Sequence, residues 1–115
     1  MWSSYLRYCI RRKNVYHIHS PFVYSLYTKV IRGHRLEALK ELGIERIETL
    51  KEGDFPEKDE TVMYEVFDIH KNKQNEAFWN TICGHPDVTL TIDLYDRGLV
   101  FHREGMEKQN FILKS

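Results

Sequence analysis

Six histidines, two cysteines and seventeen carboxylates are the side chains of this 115-residue chain with the most chemistry to offer. Asp68 and His70, two residues apart behind the β-rich run 61–67, are the candidates for a catalytic role. One carboxylate with one imidazole is a poor magnesium site, because magnesium asks for several hard oxygen ligands in strict geometry. The plainer expectation is that Asp68 and Asn72 cap the helix that follows, with His70 exposed near its start. His17 and His19 would share one face of an extended segment and approach a metal together, but no third ligand is placed by the sequence. A structural role suits them better, with His19 hydrogen-bonding near a helix start. His34, His85 and His102 fall at turns or strand ends, where solvated rings are expected. Cys9 and Cys83 are too far apart to form a disulfide framework or a metal pattern, and read as half-buried thiols in a reducing cytoplasm. The chain has no nucleophile elbow, no H-E-x-x-H and no phosphate loop. No pattern assigns a metal or cofactor site.

The formal net charge of zero hides an asymmetry. Residues 1–35 carry seven bases, Arg7, Arg11, Arg12, Lys13, Lys29, Arg32 and Arg35, and no acid; the remaining eighty residues hold all seventeen acids. One reading is that the basic arm docks on the acidic body, of this chain or of a second copy, guided by the opposite fields. The other is nucleic-acid binding through Arg7, Arg11, Arg12 and Lys13, with Trp2, Tyr5, Tyr8, Tyr16, Phe22, Tyr24 and Tyr27 available to stack on bases. The helical spacing of these aromatics favours packing over stacking.

The elements that must position these groups are legible as periodicities. Trp2, Tyr5, Leu6, Cys9 and Ile10 fall at helical spacing before Asn14. Ser20 is a helix cap and Pro21 a first helical residue, followed by the apolar stripe Phe22, Val23, Leu26, Tyr27, Val30 and Ile31; Gly33 is expected to close that helix in a left-handed conformation. A shorter helix is expected over 35–42, with Leu36, Leu39 and Leu42 inward and Gly43 as its stop. A weakly alternating strand follows at 44–50, then a solvated turn at 53–59 and a strand over 61–67. The run 72–83 is helical and stops at Gly84 and Pro86. Val88, Leu90, Ile92 and Leu94 alternate with Thr89, Thr91, Asp93 and Tyr95, a strand with one apolar and one polar face. Asp96-Arg97-Gly98 is read as a tight reversal with positive φ at Gly98, returning through 99–102, and a last strand spans 109–113.

With 42% apolar residues the chain has enough for one modest core. It is read as a single domain, 1–115, with a basic aromatic helical arm (1–35) and an acidic α/β body (36–115). No apolar run reaches the length of a membrane span, and Arg7, Arg11 and Arg12 break any signal-like segment. A cytoplasmic protein is expected.

Two stretches carry a resemblance. The first is His17-Ile18-His19-Ser20-Pro21-Phe22-Val23-Tyr24 with Leu26-Tyr27. The second is Val66-Phe67-Asp68-Ile69-His70, Ala77, Trp79, His85-Pro86, the run 88–94, Gly98-Leu99-Val100-Phe101, Lys108-Gln109 and Phe111-Ile112. Together they resemble the two ends of a Bacteroidetes-type family of class I S-adenosylmethionine (SAM) methyltransferases, which opens on "HGxHSPFVF" and closes with a "DDIH" strand, a Trp-bearing helix and an antiparallel hairpin. The resemblance implies a small, shortened Rossmann-like α/β fold: three or four helices on a mixed sheet of four or five strands. It also implies that the 99–102 strand lies between the 61–67 and 88–95 strands, antiparallel to both.

The same resemblance implies what is missing. Between Gly33 and Thr61 only Gly43 and Gly53 occur, with no G-x-G, and neither Glu45, Glu48 nor Asp54 follows a loop that would make it the ribose-binding acid. Phe67-Asp68 replaces the family's acidic pair and Lys71 stands where the family has Trp. The expectation is a methyltransferase-like protein without the SAM-binding core, acting as a non-catalytic interaction or regulatory module, as a homodimer or with a protein partner. SAM would enter only if a partner or a second copy completed a methyltransferase site.

Overall fold

The chain is described here by a computed structural model covering residues 20–114. The helix expected before Asn14, the side chains Arg7, Arg11, Arg12, Lys13 and Cys9, and the pair His17 and His19 lie outside the described residues.

Helix α1 begins as the sequence predicts. The Val23 amide donates to Ser20 Oγ at 3.3 Å and Pro21 takes the first turn of the α-helical part, Pro21–Ser25. The helix then widens to a π-helical stretch, Leu26–Ile31, closed by the Arg32 amide donating to Tyr27 O at 2.8 Å. Val23, Leu26, Tyr27, Val30 and Ile31 are all buried. Gly33 does not supply the left-handed residue after this helix; His34 does, at φ 55°. Helix α2, Ala38–Glu41, is shorter than expected. It buries Ala38 and Leu39 but leaves Leu36, which precedes its first turn, 63% exposed rather than inward.

Five strands form one mixed sheet: β1 Arg46–Thr49, β2 Val62–Phe67, β3 Leu90–Asp93, β4 Arg97–Phe101 and β5 Gln109–Ile112, in the order β1-β2-β4-β3-β5. β1 pairs parallel with β2, and β5 pairs parallel with β3. β4 lies between β2 and β3, antiparallel to both, as expected. Helix α3, Lys73–Cys83, connects β2 to β3, its first turn capped by Asn72 Oδ1 accepting from the Asn75 amide at 2.8 Å.

The period of two along each strand sends alternate residues to two separate cores. Met63, Leu90, Ile92, Leu99, Phe101 and Phe111 pack with α1 and α2 on one face. Val62, Tyr64, Val66 and Val100 pack with Trp79 and Ile82 of α3 on the other. The result is a three-layer α/β/α domain with helices on both sheet faces. Covering both faces changes the meaning of the β3 alternation: its polar set is not solvated, since Thr91 and Asp93 are buried beneath α3.

Gly98 is a second departure from expectation. It does not take the positive φ of the reversal; Tyr95 does, at φ 74°. Gly98 sits inside β4 opposite Asp93, and the Trp79 indole fills the place of its absent side chain, 2.3 Å from where a Cβ would stand. Glycine is needed for this close approach, not for a turn. Among the described residues no helix is long and apolar enough to cross a membrane.

Candidate functional site

The parallel strands β2 and β3 end on either side of the N-terminus of β4, and a cluster of polar side chains converges there. His70 lies in the loop between β2 and α3, at the carboxyl end of the sheet where α/β proteins commonly place functional groups. Its Nδ1 is 2.9 Å from Glu76 Oε2, one turn into α3. Its Nε2 is 2.6 Å from Asp93 Oδ2, the last residue of β3. The ring stacks on Tyr95 with centroids 5.2 Å apart and planes 24° from parallel. The imidazole, 16% exposed, and the Asp93 carboxylate, 8% exposed, are therefore largely out of solvent. The expected exposed His70 is corrected: α3 folds back over the loop and closes on the ring.

An ionised carboxylate only accepts hydrogen bonds, so a ring with a carboxylate at each nitrogen is satisfied only when both nitrogens carry protons. Burial opposes that charge, but the hydrogen bonds to Asp93 and Glu76, with their negative charges, outweigh it, and the His70 pKa is raised. Below that raised value the site is a largely enclosed imidazolium held between two acids. Because these acids sit at opposite ring nitrogens, one ion could not take all three as ligands. Among the described residues no group of three His, Cys, Asp or Glu converges on a metal-binding point.

The turn beside the ring is under strain. The Asp96 amide donates to Leu94 O at 3.0 Å, two residues back, with Tyr95 between them at φ 74°. A γ-turn of this sign is rare for a residue with a side chain and costs of order 1–3 kcal/mol. Asp93 holds it in place: Oδ1 accepts from the Tyr95 amide at 2.8 Å while Oδ2 meets His70. The Asp68 amide donates to Asp96 O at 2.8 Å, tying the end of β2 to the same turn.

Asp68, the other sequence candidate, is not part of this cluster. It takes φ 55°, and its side chain is exposed, with no hydrogen bond or ion pair among the described residues. Its backbone carbonyl, not its carboxylate, serves the helix start by accepting from Asn75 Nδ2 at 3.0 Å. Asn72 alone supplies the cap that the sequence divides between the two. Glu76, Asp93 and Tyr95 were not singled out by the sequence. The available signal was Asp93, the one acid on the polar side of the alternating strand, together with a histidine in the preceding crossover.

The other histidines divide. His34 is exposed as expected. His102 is not solvated: Nδ1 donates to Asp87 O at 2.8 Å and Nε2 meets Glu104 Oε1 at 2.9 Å. The Glu104 hydrogen bond raises the His102 pKa against partial burial, and the Asp87 carbonyl adds to the rise. His85 is half-buried, its Nδ1 accepting from the Asp87 amide and its ring 5.5 Å from that of Phe55.

Cys83, at the end of α3, is half-buried as expected. Its thiol lies 3.7 Å from Thr91 Oγ1, which in turn donates to Asn110 Oδ1 on β5. Burial pushes the thiol up from 9.0 to about 11, the Asp93 charge adding to the effect and the Thr91 hydrogen bond opposing it. Such a thiol carries about a hundredfold less thiolate at neutral pH than a free one. Site-resolved mass spectrometry of native protein with iodoacetamide at pH 8 should therefore find Cys83 alkylated at least that much more slowly than after unfolding. Equal rates would mean the thiol is neither buried nor shifted.

A shallow groove of about 240 Å³ opens at the carboxyl ends of β1 and β2, lined by Thr49, Leu50, Lys51, Glu52, Val66, Phe67, Asn75 and Phe78. It lies beside the His70 cluster, and neither Asp68 nor His70 forms its wall. No protein-family model, no curated protein and no solved structure matches this chain.

Proposed function

We propose that this chain is a methyltransferase-like scaffold without SAM chemistry, working as an interaction module. The observation that carries the reading is the open edge of the sheet at β1. All four residues of β1 are exposed, and no strand pairs with its outer side among the described residues. In the fold that the resemblance implies, the cofactor-binding strands would continue from this edge. The position of antiparallel β4 between β2 and β3 supports the scaffold half of the reading. The chemistry of the His70 cluster supports the non-catalytic half. A general base needs a free nitrogen lone pair within reach of substrate, whereas both nitrogens of His70 are occupied by carboxylates.

Calorimetric titration with SAM and with S-adenosylhomocysteine at millimolar ligand tests this directly, and no binding heat is expected. A saturable heat would replace the reading with a methyltransferase one. Light scattering across a dilution series tests the interaction half, with self-association or a captured partner expected and a strict monomer without partners counting against it.

A further inference from the structure

We infer that the β1 edge binds the β1 edge of a second copy of this chain, antiparallel about a two-fold axis centred on Ile47. The inference rests on the interaction reading above and names its partner and register.

Backbone geometry restricts the choice. The Arg46 amide donates to Thr61 O at 3.1 Å, a carbonyl shared with the Glu45 amide just before the strand at 2.7 Å, and just after it the Leu50 amide donates to Glu65 O at 2.9 Å, so within β1 Arg46 and Glu48 turn their peptide groups toward β2. In a parallel pair the alternate residues face the other way. Ile47 and Thr49 therefore present their N–H and C=O groups to the open side, and an antiparallel partner must hydrogen-bond to them. A two-fold edge pairing that uses these groups sets odd-numbered residues against odd and even against even.

Charge then selects one register among those allowed. With Ile47 opposite its own copy, Arg46 of each chain faces Glu48 of the other, giving two opposite-charge pairs. Slipping the strands by two residues in either sense sets Glu48 against Glu48 or Arg46 against Arg46, and like charges directly opposed are destabilising. The side chains are accessible for this role. The Arg46 and Glu48 side chains are 55% and 48% exposed, and Ile47 is 44% exposed on the other face. Arg46 Nη2 lies 3.3 Å from Glu48 Oε2 and 3.2 Å from Asp59 Oδ2 of its own chain, exposed pairs that exchange readily for the same contacts across the two-fold axis. The two-fold centre brings two half-exposed isoleucines together, which is how isologous contacts become self-complementary. Four residues of edge make a small interface, so the dimer is expected to be concentration-dependent.

A charge-exchange experiment tests the register with surface variants that leave both cores intact. R46E and E48R should each weaken self-association about tenfold or more, because two attractive pairs become repulsive. Mixed together, they should form a heterodimer at least as stable as the original homodimer, since the carboxylates of one edge then face the guanidinium groups of the other. Circular dichroism melts of each variant verify that it is folded. Independently, I47C should cross-link to its copy on mild oxidation, because hydrogen-bonded antiparallel residues lie about 5.5 Å apart at Cα, inside the disulfide range of about 4.4–6.8 Å. E48C should not cross-link, since its own copy lies two positions away. A homodimer unaffected by these charges, or a mixture that does not associate, overturns the inference while leaving the interaction reading in place. A wild-type monomer at every concentration also overturns it. SAM binding would overturn the functional reading without touching the edge.

Discussion

Replacing Gly98 with alanine should destabilise the domain by roughly 3 kcal/mol, the upper part of the range for forcing an extra methyl into a packed core. In this chain size that is a fall in Tm of roughly 10 °C. The new Cβ would stand 2.3 Å from two atoms of the Trp79 ring, well inside any real carbon–carbon contact. The indole has nowhere to retreat. Trp79 is 4% exposed and wedged among Val66, Val100 and Ile82, while Gly98 is held in register between Val66 of β2 and Asp93 of β3. Relief must come from moving α3 off the sheet, which would also pull Glu76 away from His70. A thermal melt checks the size of the effect, and a double-mutant cycle with W79L checks its cause. If the indole is what the methyl strikes, the double variant should be more stable than the sum of the single losses predicts, by at least about 1 kcal/mol. Strict additivity would mean that Trp79 does not sit over Gly98.

His70→Ala should cost about 3–5 kcal/mol, because it leaves the Asp93 carboxylate buried without its counter-charge. The strained turn at Tyr95 also loses the ring against which its side chain stacks. The pH dependence gives this prediction a signature that lost packing alone would not produce. A raised folded-state pKa means that the protonated ring is bound more favourably in the folded chain than in the unfolded one. The stability it contributes is fully present below the ordinary histidine value of 6.5 and is lost as pH rises through the raised value. The gap between wild type and His70→Ala should therefore be widest in mild acid and narrow as pH rises through the raised value, measured by urea melts across a pH series. NMR titration of the His70 ring should give a midpoint above the ordinary histidine value, with both nitrogens protonated below it, and Asp93→Asn should bring its pKa down. A gap independent of pH would show that His70 acts through packing alone. An unshifted ring titration would show that the carboxylate clamp does not form.

The helices were the most legible part of the chain because their determinants are local. Ser20, Pro21 and the stripe ending at Ile31 specify α1, and Asn72 followed by apolar positions at helical spacing specifies α3, each within a dozen residues of sequence. The strands were legible by alternation, and the place of β4 by resemblance. Errors collected where the partner is remote in sequence. Gly98 looked like a turn glycine because Asp96 and Arg97 precede it, while its actual reason is a tryptophan nineteen positions earlier that arrives only when α3 packs. Leu36 looked inward by spacing, but α2 begins after it.

The candidate site divides along the same line. The sequence by itself determined that Asp68 and His70 stand between a strand and a capped helix, and that Asp93 lies in an alternating strand. It could not determine that His70 meets Asp93, twenty-three residues away, and not its neighbour Asp68. That pairing exists because antiparallel β4 sets the ends of β2 and β3 at a fixed spacing, and because α3 covers the sheet face onto which Asp93 points. Burial then turns a polar alternation into a buried charge that must be paired, and the nearest ring that can supply two protons is His70. Local spacing specifies elements; only the packed sheet, by excluding water from one acid, decides which side chains must meet.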